Sequence, residues 1–280
     1  MSCTTILIPA HNEAAVIGRT LWFLSRGLPQ NAFEVIVIAN GCTDATAART
    51  RAAVPQATVI ETERAGKCHA LNLGYAASAK GGPVIFLDAD LDVTSDSIKA
   101  LIAPLTTGTA QAACGQMDVV TTHASPLVKA FYRGWRTNPY FTRGKFGGLF
   151  ALSAATAARL LPLPEITADD EFIRRSVPVP DIALVNGCNF SARAPANLSD
   201  LIKVRRRSIR GARQLGKMGL FRPDPSSLPR MIHQALTKPS EFIPVLVFLT
   251  IMIWVRVALA FEGENAKARW ERDLSSRAVG

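Results

Sequence analysis

The residues of this chain best suited to chemistry are two aspartates at the end of an apolar run, Val84-Ile85-Phe86-Leu87-Asp88-Ala89-Asp90. A short run of β-formers reads as a buried strand, and a spacing of two turns both carboxylates to one side of extended backbone. Carboxylates held side by side repel unless a positive charge lies between them. Beyond the carboxyl ends of strands is where open α/β sheets bind ligands. Asp88 and Asp90 are thus placed to hold a divalent cation and the diphosphate of a nucleotide. The plain alternative is a turn, where Asp is common.

Three earlier loops carry polar residues in the same position relative to a strand. They are Pro9-Ala10-His11-Asn12-Glu13, Asn40-Gly41-Cys42-Thr43-Asp44, and Glu63 through Asn72, which contains Gly66-Lys67. Lys67, at a helix start beside a glycine, suits a phosphate or base edge; a solvated surface lysine is the alternative. Glu13 and Asp44 also fit as acids that favour a helix N-terminus. Further on, Asp169-Asp170-Glu171 precedes Arg174-Arg175. Paired acids of this kind supply a proton acceptor, because mutual repulsion raises one pKa, or else an acidic helix start.

The elements that must position these loops alternate in type. Strands are expected at 4–8, 33–39, 57–61 and 84–87. Helices are expected at 13–25, 44–54, 67–79 and 95–105, the last capped by Thr94. Four β-α units of this length predict an α/β domain with a mostly parallel sheet and helices on both faces. Past Thr122 the rhythm changes: 131–136 and 140–146 interleave aromatics with positive charge, and 198–217 reads as a basic helix. Pro223, Pro225 and Pro229 punctuate a loop. Phe242 to Phe261 is an apolar stretch of twenty residues with Arg256 as its only charge, long enough for one membrane span or for a buried or interfacial helix.

The four strand-end loops together resemble, in order and spacing, the nucleotide-binding half of family 2 glycosyltransferases of the GT-A fold. That family has a strand ending in P-x-x-N-E, then D/N-x-S/C-T-D, a G-K-x-x-A-L-N helix start and a D-x-D. The resemblance covers roughly residues 4–213. It implies a GT-A (Rossmann-like) domain, α/β with a mostly parallel sheet, to which the apolar stretch adds a C-terminal helix. It also implies donor contacts from Pro9, Asn12, Glu13, Asn40 and Lys67, with Asp88 on the ribose side and Asp90 on the cation, Mg²⁺ or Mn²⁺. Asp170 matches the family's base, with Asp169 as the alternative, and Gly147-Gly148 resembles its acceptor-side glycine turn. Arg207 and Arg210 lie where processive members carry Q-x-x-R-W. The Gln and Trp are absent, so the arginines close over the donor diphosphate or form a membrane-facing basic surface. Ala39 and Asn40 stand where the family often has two acids, which leaves the nucleobase open.

The implied organisation is a nucleotide-sugar half at 1–122, an acceptor half at 123–197, a basic helix and Pro-rich neck at 198–240, a membrane-associated or transmembrane helix at 241–262 and a polar tail at 263–280. The implied activity is inverting transfer of a sugar from a nucleotide-sugar donor to a hydroxyl of a lipid-linked or membrane-proximal glycan. The alternatives are a membrane-tethered module binding nucleotides or acidic polymers, and a nucleotidyltransferase. The latter needs a Gly- and Arg-rich loop after the first strand, which Pro9 to Glu13 does not supply.

A net charge of +10 favours anionic partners. From Leu201 to Met231 there are nine Lys or Arg against one acid, Asp224. This basic stretch adjoins the apolar one and carries no nucleic-acid motif, so a membrane surface is expected rather than nucleic acid. Five scattered cysteines without a C-x-x-C pair suggest reduced thiols. With a strand-like N-terminus in place of a secretory signal, the expected location is the cytoplasmic side of the inner membrane.

Overall fold

The computed structural model describes residues 3–29, 31–138, 145–220 and 228–261. They form two compact units, one from 3–118 with 145–192 and the other from 119–138, 193–220 and 228–261. This partition differs from the expected sequential halves, because the sheet reclaims the chain after residue 145.

The first unit is built on an eight-stranded sheet of order β3-β2-β1-β4-β7-β6-β8-β5. Its strands are β1 (Thr4–Ala10), β2 (Phe33–Asn40), β3 (Thr58–Thr62), β4 (Val84–Leu87), β5 (Asp92–Val93), β6 (Ala112–Val120), β7 (Leu149–Leu152) and β8 (Ile182–Arg193). β3, β2, β1 and β4 are parallel neighbours, as expected. Beyond β4 the pairing changes: β7 runs antiparallel to both β4 and β6, and β5 to β8. The sheet is therefore mixed, and β1, flanked by β2 and β4, is where the strand order reverses. Such a reversal opens a crevice at the carboxyl ends of the strands.

Burial on both faces explains the unbroken apolar runs of β1 and β4. Ile6, Ile8, Ile85 and Leu87 face one core with α1 (Ile17–Ser25) and α4 (Ser95–Thr106). The alternate residues Leu7, Val84 and Phe86 face the other, with α3 (Lys67–Ala77). Phe86 and Phe146 stack on Phe150 at 4.7 and 4.5 Å between ring centres, joining β4 to β7. Beside α1 lies α2 (Thr46–Ala53), and α6 (Ala154–Leu160) and α7 (Asp169–Ser176) complete the unit.

One helix start departs clearly from expectation. α1 begins at Ile17 rather than Glu13, because the amides of Glu13 and Ala14 donate to Thr46 Oγ1 and Asp44 Oδ2, at 2.8 and 3.0 Å, and stay outside the helix. Thr94 caps α4 as expected, accepting from the Ser97 amide at 3.3 Å.

The second unit contains α5 (Pro126–Arg136), α8 (Leu198–Lys217), α9 (Leu228–Thr237) and α10 (Pro239–Phe261). The basic helix has the expected bounds, and Arg205 lies over the Trp135 ring at 4.8 Å. Pro229 sits in the first turn of α9 rather than in a loop, where the missing N–H costs nothing. Pro223, Pro225 and residues 140–144 of the second aromatic-basic stretch lie outside the described residues.

Candidate active site

Three polar segments meet at the carboxyl end of β4. Asp88 follows the strand directly, and Ala89-Asp90 forms the turn into β5. The Asp88 amide donates to the Gly148 carbonyl at 2.8 Å, extending the β4–β7 pairing by one residue. Gly148 has φ +91°, and a Cβ there would come within 2.5 Å of Asp88 Oδ2. Only glycine allows this approach. The Gly147-Gly148 turn is thus part of what fixes the Asp88 carboxylate, whatever else it receives.

Lys67, at the start of α3, reaches across to the same place. Its Nζ lies 2.7 Å from Asp88 Oδ1 and 3.0 Å from Asp169 Oδ2. Burial alone would lower the lysine's pKa, but Asp169, Asp88 and Asp170 together raise it above the ordinary value, so it is a fixed cation. Asp169, in the first turn of α7, is 3% exposed. Burial pushes its carboxyl up to about 6, against the lowering effect of Lys67, with Asp170 and Asp88 adding to the rise. Asp170 is half-buried and accepts the Glu171 amide at 2.8 Å. Of the two acids, Asp169 is occupied by the lysine and Asp170 is the more open to an incoming hydroxyl.

The first two loops are stapled to one another. Asn12, at φ +52°, turns its Oδ1 to the Thr43 amide at 2.7 Å, and its own amide lies 3.3 Å from Cys42 Sγ. Glu13 is buried beside them. Asn40, expected to meet the donor, has its side chain committed to the backbone. Nδ2 donates to the Ala10 and Ile38 carbonyls at 2.8 and 3.3 Å, and Oδ1 accepts from the Gly66 amide at 3.0 Å. At 3% exposure it ties β1, β2 and the start of α3 together, and so sets where Lys67 begins. Arg207 and Arg210 lie on α8, in the second unit.

Two features escaped the reading of the sequence. One is a short contact of 2.6 Å between His11 Nδ1 and the Asn40 carbonyl, which makes Nδ1 the protonated nitrogen. The other is Glu171, which takes a two-pronged contact from Arg174 at 2.8 Å and a third from Arg175 at 2.7 Å. Spacings of three and four on a helix gave the signal for that cluster. Nothing local signals that Lys67 and Asp169 meet.

The donor set fits a hard divalent cation. Among the described residues no group of three or more His, Cys, Asp or Glu forms an all-protein cage. One or two carboxylates beside a substrate's phosphates is the usual arrangement for Mg²⁺ and Mn²⁺, with water completing the shell.

Comparison with known proteins agrees with this geometry. The pattern of the family described as "Glycosyl transferase family 2" matches residues 5–157, more than half of the chain. The chain belongs to glycosyl transferase family 2. Its matched span holds the strand-end loops as well as Gly147-Gly148. Another relative is "Glycosyltransferase AglD" of Haloferax volcanii, 32% identical over 119 residues, which are 40% of this chain and 19% of that protein. The matched stretch is thus about a fifth of that relative's length.

Among solved structures, this family 2 chain is similar to the mannosyltransferase PcManGT from Pyrobaculum calidifontis, in complex with GDP-Man and Mn²⁺. The TM-score is 0.59 at 22% identity, covering 93% of this chain and 75% of that one. It is also similar to glucosyl-3-phosphoglycerate synthase from Mycobacterium tuberculosis in complex with Mn²⁺, UDP-Glc and glycerol 3-phosphate. There the TM-score is 0.55 at 22% identity, covering 79% and 81%. These likenesses establish the GT-A fold for the family 2 chain.

Proposed function

We propose that this chain is a divalent-cation-dependent, inverting glycosyltransferase that moves a hexosyl group from a nucleotide sugar to a hydroxyl of a lipid-linked or membrane-proximal glycan. The reading is carried by one observation: Lys67 joins Asp88, at the strand-order reversal, to the acid pair that opens α7. A donor site and a proton acceptor are thereby held on one rigid edge. The ligands named for the two similar structures, a nucleotide sugar with Mn²⁺, support the donor class.

Pro9, Asn12 and Glu13 line the nucleoside end, and Asn40 sets the backbone they rest on. Asp88 takes the ribose side. Asp90, with Asp88, holds Mg²⁺ or Mn²⁺, which when bound neutralises charge growing on the departing diphosphate. Lys67 adds a fixed positive charge for the same phosphates. On the acceptor side the backbone at Gly147-Gly148 leaves room for a sugar. Asp170 takes the proton of the attacking hydroxyl as the new C–O bond forms at the anomeric carbon, while the nucleoside diphosphate leaves from the opposite face. Asp169 holds Lys67 in place during this exchange. Orientation and charge stabilisation account for most of the acceleration. The protein works at the cytoplasmic face of the membrane.

The test is a calorimetric and thermal-shift screen of nucleotide sugars with and without Mn²⁺. A donor that binds only with the cation supports the reading. Failure of every donor to bind counts against it and favours a non-catalytic binding module.

A further inference from the structure

The helix α10 is apolar enough to cross a membrane, with a mean hydropathy of 2.4 over its best eighteen residues, yet one third of that window is buried within the protein. Its burial is one-sided. Pro244, Phe248, Ile251 and Val255 are buried and lie along one face at helical spacing. Gly134 of α5 lets the two helices touch, since a Cβ there would come within 2.2 Å of the Pro244 carbonyl oxygen. The Phe131 and Phe248 rings meet at 5.2 Å.

Both ends of α10 are also tied to polar helices of the same unit. Near its start, Arg133 of α5 donates to Glu241 at 2.9 Å. Near its end, Arg213 of α8 donates to the Leu259 carbonyl at 3.2 Å. At 1.5 Å per residue these anchors stand about 27 Å apart, nearly the depth of a bilayer core. A crossing helix would carry one of the two arginines, with the helix bearing it, to the far side. Neither α5 nor the basic α8 is composed for that.

The opposite face of α10 is apolar and exposed. Phe242, Leu246, Ile253 and Val257 run along its centre, with Trp254 on one flank and Arg256 on the other, all exposed. On α9, Ile232 and Leu236 are exposed at a spacing of four, while Met231 and Ala235 turn inward. Exposed Arg230 and Lys238 join Arg256 in the same stretch. Glu241 is the only acid in 228–261, and it is paired with Arg133. An apolar strip edged by cations and a tryptophan matches the boundary between acyl chains and anionic headgroups.

We propose that α10, with α9 beside it, lies in the plane of an anionic bilayer and docks the protein on one leaflet without crossing. This deepens the membrane-proximal reading above, and the assay measures attachment without sugar transfer, so either can fail alone.

The experiment uses the full chain with sedimenting vesicles of phosphatidylcholine, with and without phosphatidylglycerol. The expected result is binding to the mixed vesicles that weakens with salt. It should be lost in Leu246→Glu/Ile253→Glu and reduced about fivefold in Lys238→Gln or Arg256→Gln. An unchanged thermal midpoint in each variant shows that the fold is retained. In inside-out membrane vesicles from expressing cells, an epitope fused after Gly280 should be removed by added protease. Protection of the epitope would mean a crossing helix and overturn the proposal. So would an absence of vesicle binding, including the case where the double variant instead abolishes a concentration-dependent dimer.

Discussion

Lys67 Nζ lies 2.7 Å from Asp88 Oδ1, so the start of α3 is joined by an ion pair to the end of β4. The same ammonium reaches Asp169, which is almost wholly buried. One cation therefore compensates a buried carboxylate while standing at the proposed phosphate site.

Lys67→Met should weaken donor binding and cost about 3 kcal/mol of stability near neutrality, because Asp169 is left buried without its partner. Asp169 is already raised to about 6, and removing the ammonium raises it further. A carboxyl with a folded pKa above its unfolded value of about 4 is penalised as pH rises through the folded value, and is not penalised below the unfolded one. The gap in thermal midpoint between Lys67→Met and the parent should accordingly narrow from pH 7.5 to pH 5. A gap that is constant across that range would show that Asp169 is not the group left unpaired.

Asp90→Ala and Asp170→Asn should separate binding from chemistry. The first should lose cation-dependent donor binding with the fold intact, as read by calorimetry and thermal unfolding. The second should keep donor binding and lose transfer by about 10²–10⁴-fold, the usual contribution of a positioned base. Undiminished turnover in Asp170→Asn would move the base elsewhere.

Gly148→Ala should damage the site more than the fold. Its φ of +91° disfavours a side chain, and the added methyl meets Asp88 Oδ2. Expected are about 1–2 kcal/mol of destabilisation and a disproportionate fall in donor affinity. Affinity equal to the parent's would show that Asp88 can shift without cost.

Asn40→Ala removes three hydrogen bonds to backbone groups, two of them on buried residues. The expected loss is about 2–4 kcal/mol by chemical denaturation, with no change in the order of preference among nucleobases. A switch in base preference would return Asn40 to direct contact with the donor.

Glu171→Gln should cost about 2 kcal/mol at pH 7 by loosening its hold on buried Arg174. Burial raises the Glu171 pKa, but the Arg174 and Arg175 contacts outweigh it and hold the group below its ordinary value. Such a carboxylate stabilises the fold above its unfolded pKa and loses that effect as pH falls through the folded one. The difference from the parent should be full at pH 7 and fade below about pH 4. Urea titrations at several pH values would measure it.

What the sequence made legible was the local part. The unbroken runs of β1 and β4 marked strands buried on both faces, and the bounds of α8 followed from its basic composition. The loops after the parallel strands could be placed on one edge, because parallel strands all finish on the same side. The antiparallel half was not legible. β5 has only two residues, and which strands pair antiparallel depends on long-range returns of the chain that no local pattern records. The bonding of Asn40 was hidden for a related reason: an amide suits a base or a backbone equally, and the sequence does not show the neighbouring carbonyls of Ala10 and Ile38. The late start of α1 arose from side chains of the second loop, thirty residues on. The fate of α10 was equally hidden, since hydropathy does not distinguish a face turned to α5 from one turned outward.

The antiparallel register of β7 on β4 also bears on how such a chain can diversify. Because the two strands run in opposite directions, the exit of β4 and the entrance of β7 fall on the same rim, so Asp88 and Gly148 meet there although fifty-nine intervening residues separate them in the chain. The strand pairing itself, and not the length of the connection, fixes that meeting point. A lineage can thus rewrite the connection between two strands while the pairing that positions Asp88 is inherited unaltered.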